Sequence, residues 1–156
     1  MPTDCTFKTP DGSFNYRVGA IILNKTKLLM AMNRRHNQYY TVGGRVKLHE
    51  TSEEAMLREI YEETGVKAEI DRLGFVQENF FKIDGKLVHE LSFFYYIKPF
   101  DYAAINFDSI KCDGDTEELC WVDINNLPDN EFYPEFFKTE LLDPSNTLKH
   151  IINREY

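Results

Sequence analysis

The stretch Gly44–Val66, which reads Gly-Arg-Val-Lys-Leu-His-Glu-Thr-Ser-Glu-Glu-Ala-Met-Leu-Arg-Glu-Ile-Tyr-Glu-Glu-Thr-Gly-Val, constrains this chain more than any other. It reads as a loop feeding a helix. Thr51 followed three residues later by Glu54 is a capping-box signature, Glu53 and Glu54 complement the positive end of the helix dipole, and Gly65 stands where a left-handed cap belongs. These signals predict a helix over Ser52–Thr64. At about 100° per residue, Glu59, Glu62 and Glu63 share one arc while Met56, Leu57, Ile60 and Tyr61 fill the neighbouring one. Ala55 lies one turn back above the carboxylates, where its small side chain is expected to leave room.

Three carboxylates beside an apolar stripe repel one another unless a cation neutralises them. Hard oxygen donors of this kind suit Mg²⁺ or Mn²⁺. The plain alternative is a solvated, Glu-rich helix face, and the longer spacing decides between the two. Gly44, then Glu50, then Arg58-Glu59-Ile60-Tyr61-Glu62-Glu63-Thr64-Gly65-Val66 resembles the Nudix box at every specified position.

The resemblance implies the α/β class, a Nudix α/β/α sandwich with a mixed β-sheet, as a single domain over residues 1–156. It also implies a divalent-metal-dependent pyrophosphohydrolase that cleaves a nucleoside diphosphate linked to another moiety by water attack at phosphorus. Carried over position by position, Glu59, Glu62 and Glu63 would bind Mg²⁺ (or Mn²⁺) together with the Gly44 carbonyl. Glu50 would complete or support the site, and Arg58 would orient the carboxylates by ion pairing. Glu59 is the favoured general base, in a family that places the base variably and sometimes outside the box. The alternative is a catalytically silent Nudix domain that binds a nucleotide as a sensor. Silent members typically lose a box carboxylate, and all four are present here.

The remaining composition agrees with an enzyme of small anionic substrates. A chain of 156 residues with 42% hydrophobic and 14% aromatic content supports a packed globular fold. A formal charge of −8 disfavours nucleic-acid and anionic-membrane partners, and an acidic protein handling phosphates needs cations to bridge like charges. Cys5, Cys112 and Cys120 lack metal-ligand spacing, and Met1–Asp4 lacks a basic, apolar signal region, so a reduced, cytoplasmic protein is expected. No apolar run is long enough to span a bilayer. A homodimer is compatible with the sequence.

Along the chain, Phe14–Leu23 and Leu28–Met32 read as a hairpin across Asn24–Lys27. Arg17 interrupts the first run and is expected to be an edge arginine paired with a surface carboxylate, the alternative being contact with a substrate. Arg34 and Arg35 in the polar loop 33–38, with Arg45 in the box, are the clustered cations near the acidic helix and are candidates for holding substrate phosphates. Lys67–Ile83 and Lys86–Ile97 read as long strands joined at Asp84-Gly85. Glu90 falls among apolar neighbours on the second, so it is expected to be paired or functional. Phe100–Thr116 is a long connection of the kind that carries binding function. Glu117–Ile124 reads as a strand bearing Trp121, Glu135–Leu142 as a helix, and Leu148–Tyr156 has no evident partner. Trp121, Phe132 and Tyr133 could lie under a nucleobase, although core packing is the more usual fate of such rings. Members that cleave ADP-ribose often carry Leu-Pro before the double glycine; Thr41-Val42 stands there instead, which weakens an ADP-ribose assignment.

Overall fold

Alternation in the longest apolar strand sets the layout. Along Lys86–Ile97, Phe93 and Tyr95 point to one side and Phe94 and Tyr96 to the other, and each set joins a separate buried cluster. Such a strand must be covered on both faces. The computed structural model describes residues 2–108, 117–129 and 131–156, and two sheets meet those demands.

The first sheet runs in the order β1 (Thr6–Thr9), β2 (Gly12–Ile21), β8 (Lys86–Ile97), β7 (Ile70–Ile83) and β11 (Lys149–Arg154), with β6 (Gly43–Arg45) also pairing β2. The second runs β10 (Glu131–Tyr133), β5 (Gln38–Thr41), β4 (Lys27–Asn33) and β3 (Leu23–Asn24), with β9 (Glu117–Asp123) on the other side of β4. The sheets are mixed: β2 with β8, β7 with β11 and β5 with β10 are parallel, whereas the remaining pairs are antiparallel.

Helix α1 (Ser52–Thr64) covers one core, in which Ala55, Met56 and Ile60 meet Val18, Ala20, Leu29, Val42 and Tyr95. The other core gathers Ile21, Met30, Phe75, Phe94 and Tyr96 around Phe137 and Leu141, at the short helix α2 (Phe137–Glu140) and just beyond it. The arrangement is the expected α/β/α sandwich.

Several local expectations change. Phe14–Leu23 and Leu28–Met32 do not make one long hairpin, because β2 and β4 belong to different sheets and only Leu23 and Asn24 pair back. A two-sheet fold needs strands that cross over, and Ile22 and Val42 are the single residues at which the chain does so. Arg17 is not at an edge, since β2 has β6 on one side of it and β8 on the other. The strand expected from Lys67 begins at Ile70, the helix expected over Glu135–Leu142 is one turn, and the segment without a partner is β11, laid parallel on β7. Part of Phe100–Thr116 is a 3₁₀ turn at Tyr102–Ala104; Cys112, Asp113, Gly114 and Asp115 lie outside the described residues.

Ile60 is fully buried where α1 meets both sheets. Ile60→Ala should therefore cost about 3 kcal/mol of unfolding free energy, read by urea titration. A loss well under about 1 kcal/mol would mean that the helix is seated by other contacts.

Candidate active site

The helix begins and ends on the residues that the sequence marks. Thr51 accepts from the Glu54 amide while the Glu54 carboxylate accepts from the Thr51 amide, and Gly65 closes the helix at φ 76° with its N–H on the Tyr61 carbonyl. The buried stripe is Ala55, Met56, Ile60 and Thr64. Tyr61, expected to pack, is 52% exposed, because the stripe runs at i and i+4 and leaves position 61 on the outer flank. Ala55 is sealed in the core and does not open space above the carboxylates.

Arg58 gathers the acidic side chains. Its Nε donates to Glu50 Oε1 at 2.6 Å and one terminal nitrogen to Glu50 Oε2 at 3.0 Å, a bidentate fork. The other terminal nitrogen donates to Glu59 Oε1 at 2.9 Å and reaches Glu62 at 3.3 Å. The guanidinium also donates to the Arg45 carbonyl at 3.0 Å, so it ties the loop before the helix to the helix itself. Glu50 is held in place by the Lys47 amide, which donates to its Oε2 at 2.8 Å. The two principal partners respond in opposite directions. The hydrogen bond from Arg58 holds the Glu50 carboxyl below its ordinary value, whereas burial pushes the Glu59 carboxyl up despite the same guanidinium.

The three box carboxylates are not equivalent. The Glu62 side chain is 51% exposed against 14% for Glu59. Glu63 accepts from the Gly43 amide at 2.7 Å, and its carboxyl is pushed up to about 9, first by burial and then by the neighbouring Glu59 charge. Gly44 explains how Glu59 comes so close: a Cβ there would fall 2.4 Å from Glu59 Oε1. Glu117, at the start of β9, adds a further negative charge felt by Glu63. Sequence reading passed over Glu117, and its only signal there was a carboxylate directly after the long connection. Among the described residues, no three His, Cys, Asp or Glu side chains already converge on one point at metal-binding separations. Glu59 and Glu62 are turned to Arg58, and Glu63 to Gly43.

The outlying candidates scatter. Arg34 forks onto Glu118, with Nε donating at 2.9 Å and a terminal nitrogen at 3.0 Å, in an exposed and solvent-screened contact. Arg35 lies in the exposed turn after β4. Arg45 projects 3.7 Å from Asp4. Glu90 is largely buried, 4.0 Å from Arg17, and accepts from Asn15 at 3.4 Å. Tyr133 is 42% exposed on β10 and stacks on Tyr40 with ring centroids 5.7 Å apart. Phe132 is a core residue, and Trp121 packs on the core beneath α1 and edge-on to Tyr102.

A capped acidic helix, fastened by one arginine to a glycine-bearing strand of a mixed sheet, defines a class of α/β/α proteins. A family model described as the NUDIX domain matches residues 14–139. A MutT-like protein from Streptomyces ambofaciens is 35% identical over 63 residues; the match covers 40% of this chain and spans only 41% of that protein's length. The solved MutT protein from Bacillus halodurans superposes with a TM-score of 0.64 at 16% identity, over 90% of this chain and 91% of that one. An ADP-ribose pyrophosphatase from Streptococcus suis superposes with a TM-score of 0.54 at 13% identity, over 89% and 98%. This chain belongs to the Nudix family of hydrolases. No helix among its described residues is long and apolar enough to cross a membrane.

Glu63 gives the site a measurable pH signature. Its folded-state carboxyl holds a proton more tightly than the unfolded chain does, so its contribution to stability is present at low pH and is lost as pH rises from about 4.5 towards 9. In chelator, Glu63→Gln should melt higher than the parent at pH 8, and the gap should close towards pH 4. Thermal melts across that range check it, and a gap independent of pH would show that the carboxyl does not titrate as described.

Proposed function

We propose that this chain is a divalent-metal-dependent pyrophosphohydrolase that cleaves a diphosphate bond in a nucleotide or nucleotide conjugate by water attack at phosphorus. The observation that carries the reading is the charge imbalance at the box. Glu59 and Glu62 share a single bonded arginine whose fork is already taken by Glu50, while Glu63 is buried on the Gly43 amide beside the Glu59 charge, with Glu117 nearby. A half-buried set of hard oxygen donors in such excess fits a divalent cation and no softer ion.

Mg²⁺, with Mn²⁺ as the substitute, would be held by Glu59, Glu62, Glu63 and the Gly44 carbonyl. When bound, the cation offsets phosphate charge and lowers the pKa of its water. The protein's own contribution is to place the groups. Arg58 keeps Glu59 and Glu50 in fixed orientation, and Glu59, which desolvation makes more basic, is the favoured general base. Arg34, Arg35 and Arg45 would supply positive charge for the substrate phosphates, and Glu90 and Tyr133 would contact the nucleotide or its conjugated group. The presence of every box carboxylate favours turnover over a silent nucleotide sensor.

The test is a panel of nucleoside triphosphates, dinucleotides and nucleotide sugars incubated with Mg²⁺, with products resolved chromatographically. At least one should be cleaved at a diphosphate and spared in chelator; Glu59→Gln should lower kcat on it by roughly 10² to 10⁴ while remaining folded. Nucleotide binding without turnover across the panel would instead support the sensor. Separately, Mn²⁺ should bind the parent more tightly than a Glu62→Gln, Glu63→Gln double variant, as followed by the paramagnetic resonance of free Mn²⁺. Equal affinity would remove these residues from the cation site.

A further inference from the structure

The strand register places two arginines face to face. Arg17 of β2 is the direct partner of Arg45 of β6, so both side chains leave the sheet on the same face. Like charges opposite one another on adjacent strands are unfavourable unless anions stand between or beside them. Each has only a loose counter-charge: Arg17 stands 4.0 Å from Glu90 and Arg45 stands 3.7 Å from Asp4. Neither guanidinium donates a hydrogen bond to another described side chain, and both stay accessible, with side-chain exposures of 37% and 44%. Arg58 differs sharply, with its donors committed to Glu50, Glu59 and the Arg45 carbonyl.

The pair lies beside the box. Gly43 and Gly44 continue β6 from Arg45, and they hold Glu63 through the Gly43 amide and admit Glu59 against Gly44. Two accessible guanidiniums with unused planar donors, anchored on the strand pair that carries Gly43 and Gly44, match the geometry of a group that carries several phosphate oxygens.

We propose that Arg17, acting with Arg45, is a substrate-binding residue that clamps the diphosphate, and that Glu90 keeps Arg17 aimed along the sheet until the phosphate arrives. The proposal rests on the hydrolase reading for the identity of the anion. It extends that reading to Arg17, for which the sequence favoured an edge ion pair and left substrate contact as the alternative.

The probe is methylenediphosphonate, a diphosphate that cannot be hydrolysed, titrated by calorimetry at saturating Mg²⁺ into parent, Arg17→Gln, Arg17→Lys and Arg154→Gln. Arg154 lies over Phe80 on β11 and serves as the control for net charge. Arg17→Gln should weaken binding by about tenfold or more, Arg17→Lys by distinctly less, and Arg154→Gln by under about twofold. With a cleaved substrate, Arg17→Gln should raise KM by a similar factor at near-parental kcat, the pattern for uniform binding. Parental affinity in Arg17→Gln, equal losses in Arg17→Gln and Arg154→Gln, or no binding by the parent would each overturn the proposal. Arg17-dependent binding of the probe in a protein that cleaves nothing would keep the clamp and reject the hydrolase reading. Cleavage unaffected by Arg17→Gln would do the reverse.

Discussion

The site depends on one guanidinium. Arg58 is the point at which the loop before the helix, the helix and the strand β6 are fastened together, since it bonds Glu50, Glu59 and the Arg45 carbonyl at once. Because the Arg58 and Glu59 side chains are largely shielded, these contacts are stronger than surface pairs, and losing one partner would leave the others uncompensated. The same arrangement divides the carboxylates by environment. Glu50 is kept ionised, Glu63 is kept basic by burial, and Glu62 stays in water. Two acidic residues with the same intrinsic chemistry thus acquire different proton affinities from their surroundings.

A second theme is how little side-chain volume the strand beside the helix carries. Gly43 offers a bare amide to Glu63, and Gly44 leaves the gap that Glu59 occupies. The next residue, Arg45, is large and charged, stands opposite Arg17 in the register and reaches to 3.7 Å from Asp4. Three successive positions of one short strand therefore supply a donor, a space and a cation.

Much of this was legible in the residues themselves. The caps at Thr51 and Gly65, the helix between them and the acidic arc all follow from local chemistry, which is short in range and written consecutively. The long strands around Asp84-Gly85 were legible for the same reason. What the chain order hid was non-local. Nothing near Arg17 in sequence reveals that β6 will lie on one side of it and β8 on the other, so an interior arginine looked like an edge one. The strand β11 was invisible because its partner β7 is some seventy residues earlier and the pairing is parallel, without a turn to announce it. Glu117 was missed because its closeness to Glu63 arises from the packing of β9 against β4, on the second sheet.

The two crossover residues have a mechanical consequence. At Ile22 and at Val42 the backbone passes from one sheet to the other within a single residue, and both are fully buried. The Ala20 amide is bonded to the Val42 carbonyl and the Leu29 amide to the Ile22 carbonyl, at 2.8 and 3.0 Å, so each crossing is laced into the sheet that it enters. Two such continuous struts make the sheets one stiff frame, unable to rotate against each other as hinged bodies can. Rearrangement around a bound cation therefore falls to side chains carried on the frame, the box carboxylates among them, since Glu59 and Glu62 are turned to Arg58 and Glu63 to Gly43.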